Sequence, residues 1–139
     1  MKKMTAMFVV VASLGLAKDI RAQETSAATA PVTAIPLLSK PLPDVANKEG
    51  VMLTVEYAPG ASSAPHRHNA NTFVYVLEGA VVMQVKGGKE QTLTAGQTFY
   101  ESPTDIHSVS RNASATQKAK ILVFFVKDIG APSNVAVTE

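Results

Sequence analysis

The chain has 139 residues, 46% of them hydrophobic and 17% charged, which is enough apolar side chain for one domain core and too little charge for a disordered chain. It contains no cysteine, which excludes disulfides, thiolate metal sites and redox pairs. Lys2, Lys3, Lys18 and Arg21 fall in the first twenty-two positions against the single acid Asp19; of thirteen basic and eleven acidic residues this leaves nine and ten, without the clustered basic face a nucleic acid needs.

Met1 to Ala22 has the pattern of a secretory signal, with a charged start at Lys2-Lys3 and an apolar run from Met4 to Ala17. Cleavage after Ala17 and cleavage after Ala22 compete. About fourteen apolar residues fall short of the roughly twenty that span a bilayer, so the expectation is export to the periplasm or secretion, with no membrane attachment once residues 1–22 are removed. Residues 23–48 read as an N-terminal tail and edge segment, in which Val32 to Leu38 pairs as an edge strand among prolines 36, 41 and 43. Asp44 to Gly50 reads as a turn.

Residues 49–128 read as the main domain, built of short strands separated by turn residues, which predicts an all-β architecture. Val51 to Tyr57 is β-rich and stops at Pro59-Gly60. Ser63 to His68 is the next strand. Thr72 to Glu78 follows, with Thr72, Val74 and Val76 on one face and Phe73, Tyr75 and Leu77 on the other. Gly79 leads into Ala80 to Lys86, and Gly87-Gly88 makes a hairpin turn to Glu90 to Leu93. Gln97 to Glu101 and Ile106 to Ser110 come next. The apolar centre of Lys120 to Lys127 predicts a strand buried on both faces. Residues 129–139 read as a C-terminal tail over the surface.

Only three histidines are present, and two of them, His66 and His68, stand two residues apart in Pro65-His66-Arg67-His68. That spacing on a strand points both rings to one face, where they can grip one ion, and His107 is a third candidate some forty residues on. Gly60, five residues, His66-x-His68, ten residues and Gly79, followed by Gly96, Pro103, His107 and Asn112, resemble the two motifs of the cupin family. The run Phe73-Val74-Tyr75-Val76-Leu77-Glu78-Gly79 is similar to the strand that follows the first pair of ligands in that family.

The resemblance implies a small jelly-roll β-barrel (double-stranded β-helix) with a cavity between its sheets, and His66, His68 and His107 as ligands of a divalent metal. Imidazole suits iron, manganese, nickel, copper and zinc alike. The glutamate of the first motif falls on Thr72 whether counted back from Gly79 by six residues or forward from His68 by three, or on Phe73 by the four-residue alternative, so the usual carboxylate ligand is missing. Glu101, at the end of its strand before Ser102-Pro103, is the candidate to replace it as ligand, general base or supporting partner. Thr72, Val74, Val76 and Met83 are the expected pocket residues. Asp105 reads as a turn acid, Arg67 as a residue of the opposite face, and Glu78 and Arg111 as surface charges.

Three functions compete on this reading. The first is a mononuclear three-histidine, dioxygenase-like oxidoreductase acting on a small molecule. The second is a non-redox metal-dependent isomerase or lyase, and the third a non-catalytic module that binds a small ligand or metal. The resemblance also implies a homodimer.

Overall fold

The structure is a computed structural model that describes residues 30–137. The expected signal segment lies outside the described residues. Ten strands follow one another: β1 (Val32–Pro41), β2 (Lys48–Tyr57), β3 (His66–Arg67), β4 (Asn71–Glu78), β5 (Ala80–Val85), β6 (Gln91–Thr94), β7 (Thr98–Glu101), β8 (His107–Asn112), β9 (Ala119–Asp128) and β10 (Val135–Ala136). They form two five-stranded sheets, β1-β2-β9-β4-β7 and β10-β3-β8-β5-β6, and every pairing is antiparallel. The described chain is thus an all-β jelly roll, as expected, and among the described residues no helix is long and apolar enough to cross a membrane.

The chain crosses between sheets at short connections. Gly79 alone joins β4 to β5. Its φ of +71° and the 2.6 Å that a Cβ would leave to the Lys118 carbonyl oxygen explain the glycine. Alternation on β4 turns Thr72, Val74 and Val76 inward and leaves Phe73, Tyr75 and Leu77 exposed, as the sequence pattern predicts. Val74, Val76, Val81, Met83, Leu93, Phe99, Ile121, Val123 and Phe125 form the core between the sheets.

Three elements differ from the sequence expectation. The strand expected over Ser63 to His68 shrinks to His66–Arg67, with an isolated bridge from Ser62 to Arg111. Pro65 lacks the N–H that a ladder needs, and Asn69, at φ +49°, turns the chain away. Strand β9 is buried on one face only: Ala119, Ile121, Val123, Phe125 and Lys127 are buried, while Lys120, Leu122, Phe124 and Val126 are half-exposed. The second sheet covers just one side of it. The turn expected to run to Gly50 closes earlier, at Asn47 with φ +59°, and β2 begins at Lys48.

The segment after β9 does more than lie over the surface. Lys127, buried on the inner face, donates to Glu49 and to the Ala131 carbonyl, while Glu49 also accepts from the Ser39 hydroxyl at 2.8 Å and the Gly130 N–H at 3.0 Å. These bonds anchor the point where the chain leaves one sheet and crosses to the other as β10, which pairs with β3. The bond from Lys127, then those from Ser39 and Gly130, hold the Glu49 carboxyl down to about 2 from an ordinary 4.5. A depressed carboxyl stabilises the fold above its unfolded value, and that stabilisation is lost as pH falls through 4.5 toward about 2. A Glu49→Gln variant is therefore expected to melt below the parent at pH 7 and to converge on it between pH 4.5 and 2, measured by circular dichroism. A gap that stays constant with pH would rule the linkage out.

Candidate metal centre

The three histidines come from different positions in the chain but share one wall of the cavity. His66 on β3 is directly paired with His107 at the start of β8, and His68 follows immediately after β3. One ring nitrogen from each lies within 4.8 Å of the others. His66 Nδ1 is 2.8 Å from the Ala64 carbonyl and His68 Nδ1 is 2.6 Å from the Ser133 carbonyl. A carbonyl only accepts, so each Nδ1 carries the proton and each Nε2 presents a lone pair inward.

Glu101 stands beside the group, outside the set of ligand atoms that lie within 4.8 Å of one another. It is 2% exposed, with Oε1 3.3 Å from His107 Nδ1 and Oε2 3.8 Å from His68 Nε2. Its place follows from register: Thr72 on β4 is paired directly with Glu101 on β7. The position where the resemblance expects a carboxylate holds a threonine, and the carboxylate stands on the adjacent strand, one cross-strand step away. Thr72 itself is fully buried, and its hydroxyl has only a long 3.5 Å contact to the Ala70 carbonyl.

Burial pushes the Glu101 carboxyl up to about 8, with nearby Asp105 adding to the effect. Burial also pushes the His107 imidazole down to about 3, helped by the His66 and His68 rings, and lowers His68. All these directions disfavour charge in an enclosed space. Both Glu101 oxygens and both His107 ring nitrogens are buried with no hydrogen-bond partner. Four such atoms facing two free imidazole lone pairs are costly unless something electropositive sits among them. A divalent metal fits that donor set of imidazole nitrogens and a carboxylate oxygen.

The cavity beside this group measures about 330 Å³. Thr72, Val74 and Met83 line it; Val76 does not and packs in the core away from it. Phe125 lies 5.0 Å from the His68 ring and Phe99 stacks at 5.9 Å on His107, so aromatic rings fix two of the ligand candidates from the side. Asp105 is a turn acid, accepting from the Ser102 N–H at 2.7 Å. Glu78 and Arg111 make exposed ion pairs with Lys118 and Glu90. Arg67 is half-buried and alternates away from the rings. Asn112 is buried and ties the Tyr57, Ala58 and Gln117 carbonyls together.

Sequence reasoning missed Ser133, whose backbone orients His68, and the pair Tyr57 and Ser110, whose hydroxyls lie 2.8 Å apart in the cavity wall. Alternation along β2 would have pointed Tyr57 inward. No side-chain signal marks Ser133.

Solved structures share the architecture. The DMSP lyase DddQ from Ruegeria pomeroyi DSS-3 matches at TM-score 0.63 and 17% identity, over 76% of this chain and 51% of that one. An oxalate oxidase in complex with the substrate analogue glycolate matches at TM-score 0.59 and 25% identity, over 87% of this chain and 62% of the other. The polyketide cyclase RemF from Streptomyces resistomycificus matches at TM-score 0.56 and 23% identity, over 78% and 73%. The chain thus spans about half the length of the lyase. No curated protein sequence matches it. The Cupin domain family matches residues 53–125, from the middle of β2 to Phe125 on β9, and with more than half of its length so matched the chain belongs to the cupin family.

Proposed function

We propose that this chain is an exported, metal-binding cupin enzyme that takes a small molecule into the pocket beside the metal. The observation that carries the reading is Glu101, whose two unpartnered oxygens lie 3.3 Å from His107 and 3.8 Å from His68. His66, His68 and His107 would hold the ion, with Glu101 as fourth ligand or as the proton partner of His107. A divalent ion in such a site polarises a substrate oxygen or, if redox-active, exchanges electrons with it. The chain's own residues do the rest. The Ala64 and Ser133 carbonyls fix two rings, Phe99 and Phe125 keep water from their flanks, and Glu101 holds or delivers a proton at its carboxyl oxygen.

Two reaction classes fit these roles. A dioxygenase-like oxidoreductase uses the three imidazoles as the donor set and leaves room for a chelating substrate. A non-redox isomerase or lyase uses Glu101 as its acid-base group, placed by its contacts with His107 and His68. The experiment is metal analysis of the isolated protein beside a His66→Ala, His68→Ala double variant. Equal metal content in the two would end the proposal. Oxygen uptake by the anaerobically Fe(II)-loaded protein, offered β-diketones, catechols and flavonols, then separates the classes, since the redox reading requires uptake.

Periplasmic location rests on the Met1 to Ala22 pattern. A homodimer is supported by the outer face of the first sheet, where Leu38, Met52, Phe124, Phe73 and Tyr100 stand in one cross-strand row. Leu38, Phe73 and Tyr100 of that row are 48%, 48% and 49% exposed, a continuous apolar stripe that a second copy would cover. Sedimentation of a Phe73→Glu variant is expected to give monomer where the parent gives dimer. A monomeric parent would sink the dimer.

A further inference from the structure

The pocket has a second polar pole, separate from the metal group. Tyr57, on β2 of one sheet, and Ser110, on β8 of the other, are 3% and 4% exposed, and their hydroxyls meet at 2.8 Å. Both line the same cavity as His66, His68, His107 and Glu101, with Ser63 alongside. A register shift between Gln84 and Val85 places an extra residue in β8, so that His107 and Ser110 both face inward although they are an odd number of positions apart. Met83 and Val85, opposite Ser110 and His107, are two residues apart, so at about 3.3 Å per residue the two positions are about 7 Å apart along the strand.

The Tyr57 hydroxyl has the Ser63 side chain as a second hydrogen-bond partner, and three hydroxyls joined by two hydrogen bonds use two of their three protons. The third remains to be donated into a wall where burial makes an unused donor costly. Burial raises the Tyr57 phenol, which keeps it a neutral donor. Between the two poles the wall is apolar, with Val55, Val74, Met83, Ile121 and Val123, and among the described residues no lysine or arginine faces the cavity. A second anionic group on the ligand would find no cation there.

We propose that Tyr57 and Ser110 form a recognition subsite for an uncharged oxygen group, so that the substrate class is a small molecule with one chelating head, a short apolar body and a hydroxyl or carbonyl at its far end. This deepens the metal-pocket reading and rests on it. The head sits at the histidine and Glu101 group, the body lies along Val74 and Ile121, and the far oxygen takes the spare hydroxyl proton. Tyr57 and Ser110 determine specificity in this scheme and do not touch the reacting atoms at the metal.

The test uses Co(II)-loaded full-length protein and straight-chain hydroxamates of two to seven carbons, each ended by methyl, hydroxyl or carboxylate, with binding read from the cobalt visible spectrum. At one chain length the terminal hydroxyl is expected to tighten binding about tenfold over methyl, and the terminal carboxylate to weaken it. Tyr57→Phe and, separately, Ser110→Ala should cut the hydroxyl advantage to under about twofold while leaving the ligand-free cobalt spectrum unchanged; two variants keep the test intact if one fails to fold. Loss of discrimination at every length, or an advantage that survives in Tyr57→Phe, overturns the subsite alone. A protein that takes up no Co(II) overturns the metal reading and the subsite with it.

Discussion

A His107→Ala variant is expected to retain less than about a tenth of the parent's bound metal under matched conditions, while Glu101→Gln binds metal about ten- to a hundredfold more weakly. The difference follows from geometry. His107 is 3% exposed, its ring is packed on Phe99, and both its nitrogens are unpartnered, so its removal deletes a donor and opens a hole. Glutamine keeps the shape of Glu101 but cannot ionise to a carboxylate for a cation at the point 3.3 Å from His107 and 3.8 Å from His68. Competition titration with a chromophoric chelator measures both. An unchanged affinity in Glu101→Gln would remove the carboxylate from the centre, whatever its position, and leave a three-imidazole site.

Phe125→Ala is expected to destabilise the protein by about 3 kcal/mol or more, the usual range for a buried aromatic truncation. For a domain near this size that lowers the melting temperature by about 12 °C or more. Phe125 is 3% exposed on the inner face of β9, is paired with Thr72 and has its ring 5.0 Å from His68. β9 is the middle strand of its sheet, bonded to β2 and β4, so the backbone cannot collapse into the space left behind. The same change frees the flank of His68, and metal affinity should fall together with stability. Phe125→Leu, which keeps most of the volume, should recover most of both. A melting point within two degrees of the parent for Phe125→Ala would show that the ring carries little of the core.

Much of this was legible in the residues. Alternation along Thr72 to Glu78 gave the correct inward and outward faces, because period two is a property of the strand itself. The spacing paired His66 with His68 and the resemblance added His107; β3 and β8 pair through His66 and His107, and the three rings lie together. The failures have physical causes. Two-residue strands such as β3 and β10 are too short to carry a pattern, and Pro65 removes a donor where a longer strand was expected. An apolar run does not reveal how many sheets will cover it, so β9 read as doubly buried. The Thr72 and Glu101 exchange was half visible: the missing carboxylate and its candidate replacement could be named, but that they stand side by side is a fact of sheet register, which spacing along one strand does not contain.

The bond from His68 Nδ1 to the Ser133 carbonyl joins residues sixty-five apart through a backbone atom. Any amino acid at position 133 supplies the same oxygen, so that support is insensitive to substitution and invisible to comparisons of residue identity. It is sensitive to length instead. One residue added or removed between Gly130 at the sheet exit and Val135 opposite Arg67 would move a different carbonyl, or none, beneath the imidazole. Drift in this centre would therefore enter through insertions and deletions in a short connecting segment while the three histidines remained unchanged.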